Sequence, residues 1–302
     1  MITIRLRRLA LIFALVLVSA RPALVRAQAA DSAKAWHTSV LGNLSATQVG
    51  FQNWQGGGIN SLAMSAGVDG AAERATDQWQ QKYEMRLALG VVKQDTLEFR
   101  KAEDIILLAA NLQYLGDGFF GHFNPTLAAS VRTQFTEGFS YDKDPLFELD
   151  PVGEARTPPV KVSDLFSPAT LQQSVGLTYN PNAWFTHRFG VAAKETVVTI
   201  ERLRALYGVD PADAVRFELG LESVTEIDRE VFENVRYKSR LGLFATFNKA
   251  GTPDMLWENL VSMKVNAWLH VNFEFVALFD NDISDRIQLK EVLSVGISFL
   301  LI

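Results

Sequence analysis

The chain of 302 residues contains no cysteine, only four histidines and, after its N-terminal segment, no long apolar run. The absence of cysteine excludes disulfides, thiol nucleophiles, iron–sulfur clusters and cysteine zinc sites. The histidines are scattered and lack metal-ligand spacing: His37, His122, His187 and His270. No later stretch approaches the roughly 18 consecutive apolar residues of a transmembrane helix, although 48% of the residues are hydrophobic.

Sequence motifs for catalysis are also missing. There is no Gly-x-Ser-x-Gly elbow and no glycine-rich loop followed by Lys-Ser or Lys-Thr. We therefore expect no enzyme activity, no catalytic residue, no cofactor and no metal. Two less favoured readings stay open: an outer-membrane enzyme using Ser174 and His187, and weak calcium binding by the acids between Asp142 and Ser167.

The N-terminus has the three parts of a secretory signal. Arg5, Arg7 and Arg8 precede the apolar run from Leu9 to Ala20, and Val25-Arg26-Ala27 offers a cleavage site. We predict a signal peptide over residues 1–27 and one domain over residues 28–302. Loss of five arginines changes the formal net charge from −5 to −10, which disfavours nucleic acid as a partner.

The remaining chain alternates between apolar and polar residues in about twelve segments. At the C-terminus, Leu293, Val295, Ile297 and Phe299 share one parity, and small polar residues take the other. An aromatic residue at the end of such a strand is typical of bacterial outer-membrane proteins. The sequence thus predicts an all-β fold, a single antiparallel transmembrane β-barrel of about 12 strands with a range of 10–14, in the bacterial outer membrane. The alternative is a soluble β-sandwich.

The connections alternate in length over the second half of the chain, as expected of a barrel with turns at one end and loops at the other. We predict a fifth strand that reaches Tyr141, a long loop over residues 142–167 and a short connection from Ile227 to Glu230. The segment from Gly70 to Gln78 is an unusually long turn in this prediction.

Charged residues recur on the polar parity, which faces the lumen of a barrel. The candidate luminal residues are Lys82, Glu84, Arg86, Arg132, Arg216, Glu218, Arg236, Lys238, Arg240, Lys264, Glu274 and Lys290. Paired charges of both signs favour a filled, closed lumen over a narrow channel for small polar solutes. We accordingly expect a structural or interaction role, with the lipid bilayer and possible outer-membrane proteins as partners.

An ordered set of short motifs resembles the Bacteroidota family called domain of unknown function 3078 (DUF3078). The motifs are Phe51 to Ser61, which includes the signature residues Asn53, Trp54, Gly56 and Gly57, then Lys101 to Ile106, Arg132 to Phe135, Leu177 to Pro181, Phe217 to Gly220 and Gln288 to Phe299. Where this chain has Lys-Ala-Glu-Asp, the family more often has Lys-Thr-Asp-Asp. The resemblance implies an outer-membrane-type β protein and transfers no catalytic residue.

Overall fold

The structure, a computed structural model, describes residues 35–50, 59–149, 154–248 and 251–301. Fourteen strands follow in chain order: β1 (His37–Val49), β2 (Ser61–Ala75), β3 (Trp79–Gln94), β4 (Arg100–Tyr114), β5 (Phe123–Thr133), β6 (Gly138–Ser140), β7 (Val160–Ser163), β8 (Ala169–Asn182), β9 (Phe185–Val197), β10 (Val215–Phe232), β11 (Val235–Thr246), β12 (Asp254–Lys264), β13 (Leu269–Phe279) and β14 (Gln288–Leu300). Two short helices, α1 (Phe119–His122) and α2 (Pro145–Leu149), and a 3₁₀ helix (Glu201–Tyr207) lie in the connections.

Twelve of these strands close into one antiparallel barrel. Its order is β1-β14-β13-β12-β11-β10-β9-β8-β5-β4-β3-β2, and β6 pairs separately with β7. This confirms the predicted all-β barrel of twelve strands. Among the described residues, no helix combines the length and the apolar character needed to cross a bilayer.

Alternation along each strand explains the wall of the barrel. On β14, the large apolar side chains of Leu293, Val295 and Phe299 are exposed on the outward face, as expected if they face lipid. Small residues on the inward face let strands approach closely. A Cβ at Gly176, which pairs with Gly190, would lie 2.4 Å from the carbonyl oxygen of Phe189.

The connections divide the barrel into two ends. The turn end has the connections that precede β3, β5, β9, β11 and β13, which are short except for residues 115–122 before β5, together with the start of β1 and the end of β14. The loop end has the other connections, of which the longest joins β5 to β8.

Three predicted boundaries are wrong. Residues 227–230 lie inside β10, and the turn is at Glu233-Asn234, where Asn234 adopts a φ of 62° that asparagine tolerates. β2 continues to Ala75, so the turn before β3 is short, and β5 ends at Thr133 rather than Tyr141. In the first two cases charged residues such as Asp228 and Glu73 lengthen a strand that the apolar pattern alone ends too early.

The loop end carries a small core of its own. Val198, Leu203 and Val209 are buried, and Leu146, Ile200, Leu206 and Tyr207 pack against them. The hydroxyl of Tyr207 donates to the carbonyl of Val162 at 2.9 Å, and burial raises the pKa of Tyr207 to about 12. The described parts of the connection between β5 and β8, residues 134–149 and 154–168, therefore pack with the 3₁₀ helix into a structure that we call the cap.

Candidate functional site in the barrel lumen

Ion pairs between strands that are not neighbours identify the inward face. Arg132 on β5 contacts Glu258 on β12, with 3.0 Å between Nη1 and Oε1. Four strands separate β5 from β12 along the shorter path around the barrel, so this pair crosses the lumen close to its full width. Arg86 on β3 and Glu274 on β13 make a second crossing at 3.3 Å.

These two crossings belong to two contact networks that we together call the cross-lumen belt: Arg86, Glu103, Glu274 and Lys290 form one, and Arg132, Glu226, Arg240 and Glu258 form the other. Lys290 contacts Glu274 at 3.2 Å and Glu103 at 3.7 Å. Arg240 contacts Glu226 at 3.2 Å and Glu258 at 3.9 Å. Because four bases face four acids, each charge is compensated locally and the belt has no formal net charge.

A second group, the loop-end cluster, lies near the loop end of β9 to β13: Lys194, Arg216, Glu218, Asp254, Asp280 and Asp282. The Lys194 ammonium is 2.6 Å from Asp254, 3.3 Å from Asp280 and 3.7 Å from Glu218. Arg216 contacts Glu218 at 3.2 Å and Asp282 at 2.9 Å. The side chains of Lys194 and Asp280 are each only 9% exposed, so this end of the lumen is nearly dry.

A third group, the turn-end cluster, is wet: Lys82, Glu84, Asp228, Arg236 and Lys238. Arg236 contacts Asp228 with 2.9 Å between Nη2 and Oδ2, and Lys238 lies 3.5 Å from the same carboxylate. The side chains of Arg236 and Lys238 are 60% and 52% exposed. Solvent therefore reaches the inward wall from the turn end.

The predicted luminal residues all have the inward parity of their strands. The structure brings Arg86, Arg132, Arg240, Glu274 and Lys290 into the cross-lumen belt, Arg216 and Glu218 into the loop-end cluster, and Lys82, Glu84, Arg236 and Lys238 into the turn-end cluster. Lys264 ends β12 and is exposed at the turn end.

Sequence reasoning missed several acidic partners. Glu226 and Glu258 each contact a base of the belt, yet neither is among the predicted luminal residues. Extending the period of two from Glu222 to Glu226, and back from Ser262 to Glu258, would have placed both on the inward parity.

The base of the cap is held by two of the family motifs. Asp104 accepts hydrogen bonds from the backbone N–H groups of Phe135 and Thr136 at 2.7 and 2.9 Å and from the Thr136 hydroxyl at 2.7 Å. Lys101 donates to Asp104 and to Gln134 Oε1, and Gln134 donates to the carbonyls of Asp164 and Ser167. The Lys101 and Arg132 motifs thus meet at the point where the chain leaves and re-enters the barrel.

Asp144 and Asp164 have hydrogen-bond partners within the cap. Asp144 is buried, and the backbone N–H of Arg156, with those of Phe147 and Leu146, holds the pKa of its carboxyl below the usual value. Burial acts to raise the pKa of Asp164, but hydrogen bonds from Lys161 and from the Leu165 N–H outweigh it, so the pKa is lowered. Within the described part of the chain, no group of three or more acids or histidines is arranged to hold a metal ion.

Ser174 and His187 do not form a catalytic pair. Ser174 is buried on the inward parity of β8, whereas His187 lies on the outward parity of β9 and contacts the Thr225 hydroxyl at 3.0 Å. Asn53, Trp54, Gly56 and Gly57, like the predicted signal peptide, lie outside the described residues.

Comparisons with solved structures return barrels of low similarity. The translocator domain of the autotransporter NalP from Neisseria meningitidis is 6% identical, with 89% of each chain covered and a TM-score of 0.36. An outer membrane channel from Pseudomonas putida F1 is 11% identical, with 93% of this chain and 99% of that chain covered and a TM-score of 0.37. The NanC porin is 8% identical, with 85% and 97% covered and a TM-score of 0.36. Likeness at this level transfers no function.

The sequence comparisons match only part of the chain. No curated protein matches the chain. The model of the family described as "Protein of unknown function (DUF3078)" matches residues 46–139, a range that includes the Asn53, Lys101 and Arg132 motifs. The predicted resemblance to DUF3078 is thereby confirmed over residues 46–139, whereas the Leu177, Phe217 and Gln288 motifs lie outside the matched range.

Proposed function

We propose that the protein is a bacterial outer-membrane barrel whose lumen is closed to solutes. Its role is then structural, or it mediates interactions with other proteins. The observation that carries this proposal is the pair of crossings, Arg132–Glu258 and Arg86–Glu274, which join opposite parts of the wall. Arg86 and Arg132 are only partly exposed, at 37% and 35%, and passage of a solute between them and their partners would require both pairs to separate.

The cap strengthens the proposal. Its core and its hydrogen-bonded base give the loop end a fixed surface. A barrel that serves as a platform needs such a surface, whereas a solute path needs an opening at this end. Beneath the cap, the loop-end cluster narrows the lumen between β9 and β13.

The proposal is tested by single-channel recording. Purified protein, shown to be folded by its shift in mobility on boiling, is inserted into planar bilayers beside a porin as positive control. We expect no discrete conductance steps from the wild-type protein. Steady steps that scale with the number of inserted molecules would contradict the closed lumen.

The second candidate is a narrow channel for small polar solutes. The wet turn-end cluster favours it, since Arg236 and Lys238 are accessible to solutes that enter the lumen from that end. Its signature is a conductance that persists in the wild type and changes ion selectivity when Lys238 is replaced by glutamate.

A further inference from the structure

A groove crosses the outward surface of the barrel over six adjacent strands. The register aligns one outward residue of each strand in a single row: Ala72, Tyr83, Ala110, Ala129, Gln173 and Ala193. Two adjoining cavities of about 640 and 660 Å³ lie along this row and share Tyr83, Ala110 and Ala129.

The groove has walls where the row is formed by Ala110, Ala129 and Ala193, because the neighbouring rows carry larger side chains there, whereas Tyr83 is a large side chain within the row. The row toward the loop end includes Met85, Leu108 and Val131. The row toward the turn end includes Leu127, Val175 and Val191. A shallow, mainly apolar groove therefore lies over Ala110 and Ala129, with larger apolar side chains on both sides.

The groove descends from one end of the barrel toward the other. Gln173 and Ala193 lie four residues from the loop ends of β8 and β9, which are Ala169 and Val197. At the other extreme, Tyr83 and Ala72 lie near the turn ends of β3 and β2, which are Trp79 and Ala75. A chain laid in the groove would thus run from the loop-end side of the wall toward its turn-end side.

A polar pair stands at the upper end of the groove. Glu195, also outward on β9, accepts a hydrogen bond from Gln173 Nε2 at 3.0 Å. Its cross-strand neighbours are Leu171 and Phe217, so this carboxylate is set in an otherwise apolar surface. An acid facing lipid is unfavourable unless it lies near the interface or has a partner, and the partner that complements it is a cationic hydrogen-bond donor.

We propose that this groove binds one aminophospholipid, such as phosphatidylethanolamine, with its ammonium on Glu195 and an acyl chain along Ala129 and Ala110. The binding site rests on the proposed membrane location of the barrel. A primary ammonium donates hydrogen bonds to a carboxylate, whereas the choline headgroup has no N–H to donate, and an anionic headgroup is repelled. The descent from Glu195 to Tyr83 matches the order of the parts in such a lipid, headgroup first and chain below.

The test compares four proteins purified from membranes in mild detergent and examined by native mass spectrometry. We expect wild type and Ala66→Leu, an outward substitution away from the groove, to retain one phosphatidylethanolamine. Glu195→Gln keeps a hydrogen bond to Gln173 but loses the charge, and we expect about tenfold less bound lipid. Ala129→Leu fills the groove, and we expect no retained lipid.

A vesicle experiment separates this proposal from the membrane location itself. Each protein is mixed with vesicles of phosphatidylcholine alone or with phosphatidylethanolamine, floated on a density gradient and tested for its mobility shift on boiling. Failure of wild type to float in either case would overturn the membrane location. Flotation with equal lipid retention in wild type, Glu195→Gln and Ala129→Leu, or retention of an anionic lipid instead, would overturn only the aminophospholipid site.

Discussion

Both ends of the lumen pair lysine and arginine with carboxylates, but the pairs are buried at the loop end and exposed to solvent at the turn end. In the loop-end cluster, Lys194 is 9% exposed and lies among Glu218, Asp254 and Asp280. In the turn-end cluster, Lys238 is 52% exposed and lies 3.5 Å from Asp228. A charge pair surrounded by water contributes little to stability, whereas a dry pair becomes strongly destabilising when one partner is lost. The comparison therefore separates luminal charges whose loss should destabilise the barrel from charges whose loss should matter little.

The largest expected effect is a gain of conductance. Replacing Arg86, Arg132, Glu258 and Glu274 with serine removes both crossings without changing the net charge. We expect discrete conductance steps that the wild type lacks, because no side chain then bridges β3 to β13 or β5 to β12 across the lumen. The matched control replaces Asp228 and Arg236 with serine at the turn end and should stay silent in planar bilayers.

The next largest effect should be the loss of stability when one buried charged residue is replaced. Lys194→Met leaves three acids without their shared cation, and we expect a loss of about 3–5 kcal/mol in the free energy of unfolding. Lys238→Met removes an exposed charge and should change the same quantity by less than about 1 kcal/mol. Urea titrations of both variants in lipid vesicles give the two values. Equal losses of unfolding free energy in the two variants would contradict the difference in burial between the two ends.

A smaller effect is expected at the base of the cap. Asp104→Asn weakens the acceptor of the Phe135 and Thr136 N–H groups, and we expect a local loss of about 1–3 kcal/mol. The cap should then be cut faster by protease between β5 and β8 while the barrel keeps its mobility shift on boiling. Asp95→Asn, in the exposed connection before β4, is the control and should be cut at the wild-type rate.

The smallest effect is a pH dependence confined to the cap. Because the pKa of Asp144 is lowered from its usual 3.8, its contribution to order is present above that value and is lost as the pH falls through the lower folded-state pKa. Amide exchange at Leu146, Phe147 and Arg156, corrected for the intrinsic rate, should therefore accelerate below about pH 4. Asp144→Asn should lack this acceleration. An identical acceleration in both proteins would contradict the assignment to Asp144.

The sequence predicted the closed barrel well because the period of two is a local signal. Each apolar parity, such as Leu293 to Phe299, is visible without knowing which strand pairs with which. It predicted the charged lumen from the same parity. It could not predict the crossings, since the contact between Arg132 and Glu258 depends on strand order and on the stagger accumulated around the barrel.

The outward groove and the cap were missed for related reasons. The strand register places Ala110, Ala129 and Ala193 in one row, and the sequence alone does not show this register. Small residues on an apolar parity therefore do not predict a cavity. The cap depends on Asp104, which breaks the apolar parity of β4 and which the sequence marks only as part of a family motif. Its role appears once the backbone of Phe135 is seen to donate to it.

The most direct test of the difference between the two ends uses the absence of cysteine, since any introduced thiol is unique. Lys238→Cys places the thiol in the solvent-exposed turn-end cluster. Thr196→Cys places it at a buried position near the loop end, on the inward parity of β9 beside Lys194. The rate of reaction with a small, charged, membrane-impermeant thiol reagent is measured for both in folded protein in vesicles. We expect rapid labelling at residue 238 and protection at residue 196 until the protein is unfolded. Equally rapid labelling at both positions would show a continuous water path and would contradict the closed lumen.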